Sequence, residues 1–262
     1  MSEHWRLLAR NYEKYSTPLR PNDETLAAMR NLVGGDDPLA VVLGATPLFA
    51  GLARRVWFVD VADDALELVQ PAPDRRTIRK DWVDAADEFA QADLIAGDAA
   101  LNALHSPAAA ADVLRVLAAT MRRGAALALR VFVQHDLPPD EFRARLTSAF
   151  ERKAFSEVRL LVYGVIASTD GTARIADVDR FIAELGRNVP DIDRRTAATF
   201  ARSHFEWRGI SAERALAVAT TMFVPKRSHV EAMLAAAGLR VRTISPGTFP
   251  LAEFTPLYVA TR

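Results

Sequence analysis

Two unbroken apolar runs, Ala40-Val41-Val42-Leu43 and Val56-Trp57-Phe58-Val59, frame the most strongly patterned part of the chain. A strand buried on both faces carries an apolar run rather than an alternation, so both read as parallel strands inside a sheet. Between them Gly44-Ala45-Thr46-Pro47 forms a tight turn leading into a short helix, and the second run ends on Asp60. This is the opening βαβ of a nucleotide-binding sheet, with a glycine where backbone must approach a ligand and an acid where a ribose would be held. The interval from Gly44 to Asp60 is shorter than the roughly 20 residues of a dinucleotide fingerprint, and only one glycine stands in the turn. A pyrophosphate would be poorly cradled there.

The pattern continues in the same style. A helix from Asp63 to Val69 and a Pro-rich connection precede Thr77-Ile78-Arg79-Lys80-Asp81-Trp82. A fourth strand, Ala92 to Ala96, ends at Gly97-Asp98, and ligands of open α/β sheets sit at such carboxyl ends. Ser106-Pro107 starts a helix whose stop is Gly124, and a fifth strand, Ala125 to Val133, brings Arg130 and then His135 to the same edge. From Asp136 to Val224 the apolar spacing is helical throughout, with stripes such as Phe142, Leu146, Ala149, Phe150 and Ala197, Phe200, Ala201, His204, Phe205; a last helix is expected from about Ser211 to Phe223. Ser228 and Glu231 have the spacing of a capping box. Val241 to Ile244 and Leu257 to Thr261 complete the strands. Ahead of the sheet, Trp5, Leu8, Ala9 and Tyr12 share one helical face, and a second helix begins near Asn22.

In the order VVLGATP, FVDVADDAL, RKDW and DLIAGDAALNAL, the region from Leu39 to Val133 resembles the class I S-adenosylmethionine-dependent methyltransferases, in an atypical branch whose loop keeps one Gly followed by Thr-Pro. The resemblance returns in the last forty or so residues. It implies a Rossmann-like, mostly parallel seven-stranded sheet with a helical cap inserted after strand five and an N-terminal helical lid. The divisions expected are 1–37 for the lid, 38–135 for the cofactor-binding core, 136–224 for the substrate cap and 225–262 for the rest of the core. The cofactor implied is S-adenosyl-L-methionine, held by Gly44, Thr46, Asp60, Asp81, Trp82, Asp98 and Arg20. Asp81 would accept from the adenine amino group and Trp82 would cover the ring. The family usually has a carboxylate two positions before its first glycine, and here that position is Val42. Arg20, between Pro18 and Pro21, would suit the ligand carboxylate that this loss leaves unsupported. Asp98 and His135, with Tyr12 and Tyr15 as orienters, are the catalytic candidates.

Composition narrows the function. The chain has 262 residues, half of them hydrophobic, with 33 basic and 33 acidic side chains. A balanced charge argues against a nucleic-acid partner, and no run approaches the roughly 20 apolar residues of a membrane span. Cysteine is absent, which excludes disulfides, thiolate catalysis and cysteine-ligated zinc, and the five histidines show no metal spacing. The N-terminus does not read as a secretory signal, so a cytoplasmic location is expected. The leading expectation is methyl transfer to a small-molecule O or N acceptor, in specialised metabolism. Two others stand beside it: self-cyclisation of S-adenosylmethionine to azetidine-2-carboxylate and methylthioadenosine, and a non-catalytic binding module. The sequence fixes no oligomeric state, and a homodimer is among the assemblies it allows.

Overall fold

A computed structural model describes residues 10–262. Trp5, Leu8 and Ala9, expected on a first helix, lie outside the described residues. Seven strands form the central sheet: β1 (Leu39–Leu43), β2 (Arg55–Asp60), β3 (Arg75–Arg79), β4 (Leu94–Asp98), β5 (Ala126–Arg130), β8 (Arg240–Ile244) and β9 (Leu257–Thr261). Their order is β3-β2-β1-β4-β5-β9-β8, and only β9 runs antiparallel to its two neighbours. The order reverses between β1 and β4, so a crevice opens at the carboxyl ends of those strands.

Alternate residues of β1 enter two different cores, which is why the run is apolar without a break. Leu39, Val41 and Leu43 pack with Phe89, Leu114 and Leu117 on one face. Ala40 and Val42 pack with Met29, Phe49, Leu52 and Phe58 on the other. The helices responsible are α1 (Asp23–Arg30), α2 (Asp63–Leu66), α3 (Ala86–Phe89), α4 (Pro107–Thr120) and, late in the chain, α11 (Arg227–Ala236). Asn22 caps α1 by accepting from the Thr25 amide at 3.0 Å, and Ser106 caps α4 by accepting from Ala109 at 3.2 Å. The supposed capping box does not form: α11 starts two residues early, with Lys226 at its N-cap and no side-chain cap bond. Lys226 is already in extended backbone, so Ser228 falls inside the first turn.

Between β5 and β8 the chain builds a separate apolar cluster. Its helices are α5 (Pro139–Glu151), α6 (Phe155–Ile166), α7 (Ile175–Ala183), α8 (Leu185–Asn188), α9 (Arg194–Arg208) and α10 (Ala212–Leu216). The segment is not helical throughout. β6 (Thr172–Arg174) pairs with β7 (Thr221–Phe223) as an antiparallel ribbon, and the helix expected to reach Phe223 stops at Leu216. Three-residue strands carry too few alternations to register as a period.

Asn102 ties this cap to the sheet. It is fully buried, donates to the Phe132 carbonyl at 2.9 Å and to the Phe223 carbonyl at 2.7 Å, and accepts from the Phe132 amide at 2.8 Å. One side chain therefore satisfies main-chain groups on both sides of the junction.

Candidate functional site

The turn after β1 is built around Gly44, whose φ of +90° lies in the left-handed region. A Cβ there would stand 3.7 Å from an Asp60 carboxylate oxygen and 4.0 Å from the Trp82 ring. The loop, the end of β2 and the turn after β3 thus meet at one point. The helix that follows is a single 3-10 turn, Pro47–Gly51, because so few residues separate β1 from β2. Thr46 sits buried at its start and makes no capping bond.

Asp60 accepts from the Ala62 amide at 2.9 Å, and burial raises its carboxyl above the ordinary range against the pull of neighbouring amides. Trp82 donates its indole N–H to the Val59 carbonyl at 2.7 Å, which fixes the ring beside the end of β2. Asp81 caps the 3-10 turn Trp82–Asp84 that follows it, accepting from the Val83 amide at 3.1 Å.

At the end of β4, Asp98 meets Arg130 of β5. The Arg130 Nε donates to Asp98 at 2.5 Å, with the two side chains 0% and 7% exposed. Burial raises the Asp98 carboxyl despite the guanidinium. Arg130 also donates to the Pro18 carbonyl at 2.7 Å and to the Leu19 carbonyl at 3.4 Å. Those carbonyls belong to an N-terminal segment that crosses the carboxyl edge of the sheet. The cap holds the same segment: Trp207 donates to the Lys14 carbonyl at 2.9 Å, and Ser16 hydrogen-bonds Ser156 through its amide and its hydroxyl.

Beneath the segment lies a cavity of about 380 Å³. Its sheet side is lined by Thr46, Asp60, Asp81, Trp82, Asp98 and Asn102. The segment contributes Tyr12, Tyr15, Leu19 and Arg20, and the cap side adds Phe132, Tyr163 and Met222. The size falls within the range of small-molecule sites, and the mixture of apolar walls with a few polar groups is their usual chemistry.

Most of the side chains singled out in the sequence are therefore brought together: Tyr12, Tyr15, Arg20, Thr46, Asp60, Asp81, Trp82 and Asp98 line the cavity, and Gly44 shapes its edge. The Tyr12 hydroxyl is buried without a hydrogen-bond partner, and desolvation, helped by the Asp98 charge, pushes it far up, so it stays protonated as a donor. Arg20 is already paired with Glu13 at 2.8 Å and lies over the Tyr12 ring. His135 is the exception. It is not among the lining residues; its Nε2 meets the Leu161 carbonyl at 2.9 Å and its ring lies against Phe142 and Phe254. A carbonyl can only accept, so Nε2 carries the proton, and burial lowers the imidazole from its ordinary value. Gly164 leaves the room for it, since a Cβ there would fall on the imidazole.

Reasoning from the sequence missed Arg130 as the clasp of the segment, and it missed Arg159, Asp179 and Arg208. These last three are almost fully buried in the cap. Arg159 and Arg208 donate to the same Asp179 oxygen, at 2.7 Å and 2.5 Å. His204 lies beside them, with Nε2 3.4 Å from Arg159, and burial holds its imidazole well below the usual value. A charged residue on an otherwise apolar helical stripe was the available signal.

The strand order, the cap after β5 and the cavity at the carboxyl edge define the class I methyltransferase fold. Solved structures share it. A Rhodobacter sphaeroides protein provisionally assigned as a Zn-dependent alcohol dehydrogenase matches 99% of this chain and 97% of its own, with a TM-score of 0.59 at 15% identity. A provisionally assigned O-methyltransferase of Nostoc punctiforme matches 98% of the chain but only 60% of its own length, at 0.52 and 14%. The S-adenosylmethionine-bound amino pentose methyltransferase CalS10 of Micromonospora echinaspora matches 96% and 94%, at 0.50 and 14%. No protein-family model and no curated protein matches the sequence. Among the described residues no three His, Asp or Glu side chains converge as ligands for a metal, and no helix is long and apolar enough to cross a membrane.

Proposed function

We propose that the protein transfers a methyl group from S-adenosyl-L-methionine to an O or N atom of a small molecule. The observation that carries this reading is the convergence of Gly44, Asp60 and Trp82 at the rim of a cavity on the carboxyl edge of a sheet with this strand order. Likeness in fold to the Nostoc and Micromonospora proteins supports it.

Asp60 would take the ribose hydroxyls, Asp81 the adenine amino group and the Trp82 face the ring, with the Gly44 backbone and Thr46 against the remainder. These groups suit an adenosine: an acid for vicinal hydroxyls, an acid for an exocyclic amine and an aromatic face. The absence of a glycine-rich cradle suits a ligand without a pyrophosphate. Bound there, the sulfonium supplies an electrophilic methyl. What remains for the chain is to place the acceptor in line and exclude water. The segment formed by residues 10–22 closes the cavity, Tyr12 offers a protonated hydroxyl to orient the acceptor, and Asp98, clasped by Arg130, lines the cavity with it. His135 has no part in this chemistry in this reading, since it is half-buried against the cap and held by the Leu161 carbonyl instead. The divisions at 37, 135 and 224 correspond in this reading to lid, core and cap.

Calorimetric titration with S-adenosylmethionine tests the reading. Wild-type protein should give saturable heat, and Asp60→Ala should weaken binding by ~2 kcal/mol, roughly 30-fold. No heat from folded wild-type protein would sink the proposal. Recovery of S-adenosylhomocysteine from turnover mixtures supports transfer, whereas methylthioadenosine would overturn it in favour of self-cyclisation.

A further inference from the structure

The cap wall of the cavity is backed by a charge imbalance. Arg159, Arg208 and Asp179 are each at most 1% exposed, and both guanidinium groups spend a donor on one oxygen of the single carboxylate. His204, the remaining titratable neighbour, is neutral, and its Nε2 faces a guanidinium that can only donate, so it adds no negative charge. Two cations and one anion leave one buried positive charge uncompensated within this hydrogen-bonded group. Burying such a charge is unfavourable unless an anion comes to it.

The charge reaches the cavity through two tyrosines. Arg159 Nε donates to the Tyr163 hydroxyl at 2.6 Å, and the Arg159 and Arg208 charges both act on the Tyr15 hydroxyl, pulling it down against the effect of burial. Tyr15 and Tyr163 both line the cavity, whereas the arginines do not. A phenol oxygen that accepts from a guanidinium keeps its own proton for another acceptor, and the cationic donor behind it strengthens that proton as a donor. The wall thus presents two polarised O–H groups in front of a positive field, set among Leu19, Phe132 and Met222.

We propose that this wall is a carboxylate site: Tyr163 and Tyr15 bind an anionic carboxylate on a largely apolar ligand, and Arg159 and Arg208 act through them as positioning residues. A carboxylate offers two acceptor oxygens to the two donors and supplies the missing charge. The inference deepens the methyl-transfer reading by naming the acceptor class, an apolar carboxylic acid. The same chemistry is present at the amino-acid end of S-adenosylmethionine, and the arms of the test separate the two sources.

The first arm titrates cofactor-free and cofactor-saturated protein with 4-hydroxybenzoate, 4-hydroxyphenylacetate and octanoate, each against its neutral amide. The second arm titrates S-adenosylmethionine against methylthioadenosine, which lacks the carboxylate. Both are repeated on Tyr163→Phe, which keeps the ring stacked on Phe132, and on Arg208→Gln, which leaves Arg159 and Asp179 as a neutral pair. A preference for carboxylate over amide of roughly tenfold or more in wild type, lost in both variants, establishes the acceptor as the source. An S-adenosylmethionine affinity that falls in both variants while methylthioadenosine binding holds establishes the cofactor's own carboxylate. Either preference is one that a merely structural residue would not move. Equal binding of acid and amide, binding of neither, or a preference that survives in Tyr163→Phe overturns the site when the second arm is also flat. A carboxylate preference without S-adenosylmethionine heat keeps the site and fails the methyl-transfer reading alone.

Discussion

Gly44 holds a conformation that any side chain would strain, at a place where space is not the constraint. The nearest atoms to a Cβ there are at ordinary contact distance. Gly44→Ala should therefore cost folding only ~1 kcal/mol, from the left-handed backbone. Its effect on S-adenosylmethionine should be larger, at least about tenfold, because the methyl group would stand between the loop backbone and the ligand beside Asp60. Thermal melts and titration on the same variant check this; equal small losses in both would show that no ligand approaches that backbone. Gly44, Asp60 and Trp82 were legible because their roles depend on strand ends, and strand ends are visible in apolar runs. His135 was not. Its position just past β5 put it at the right edge, but which way a side chain leaves a strand end depends on packing, and the space beneath Gly164 lies far away in sequence.

At the scale of elements, Asn102 is the fully buried side chain that bonds main-chain groups on both sides of the junction between sheet and cap. Asn102→Leu would leave the Phe132 amide and the Phe132 and Phe223 carbonyls buried without partners. The expected loss is ~2–4 kcal/mol of stability, read as a shifted denaturant midpoint. A change under about 0.5 kcal/mol would mean that water or another group replaces the amide. The sequence shows why the element is hard to foresee: Asn102 makes contacts 30 and 121 residues away, and nothing in its neighbourhood marks it. The β6–β7 ribbon was hidden for the related reason that its partners are far apart and short. By contrast, α4 was readable from Ser106-Pro107 alone, since a cap and an N1 proline act within one turn.

For the molecule as a whole, two imidazoles, His204 buried and His135 half-buried, set a limit in acid. His135 and His204 both sit below their ordinary values because burial disfavours the cation. A depressed value means that the unfolded chain takes up the proton first. Their contribution is therefore complete above about pH 6.5 and is lost as pH falls from there through the folded-state values. Asp60 and Asp98, raised by burial, act in the opposite sense. Urea midpoints measured from pH 7.5 to 5 should fall for the wild type, and His204→Leu should flatten the slope. An unchanged slope would mean that His204 does not titrate on unfolding in that window. The architecture itself was legible because the sheet alternates two cores along each strand. The polar interior of the cap was not, because buried arginines are stabilised only by partners on other helices.

Three attachments of the N-terminal segment are made to its main chain. Arg130 grips the carbonyls of Pro18 and Leu19, and Trp207 grips that of Lys14. Every residue type has a carbonyl, so these attachments are indifferent to sequence, while the side chains of Tyr12, Tyr15, Leu19 and Arg20 that face the cavity carry none of them. At Leu19, whose carbonyl is gripped and whose side chain lines the cavity, attachment and recognition are thus written in different atoms, and that position can be rewritten for a new acceptor without loosening the grip.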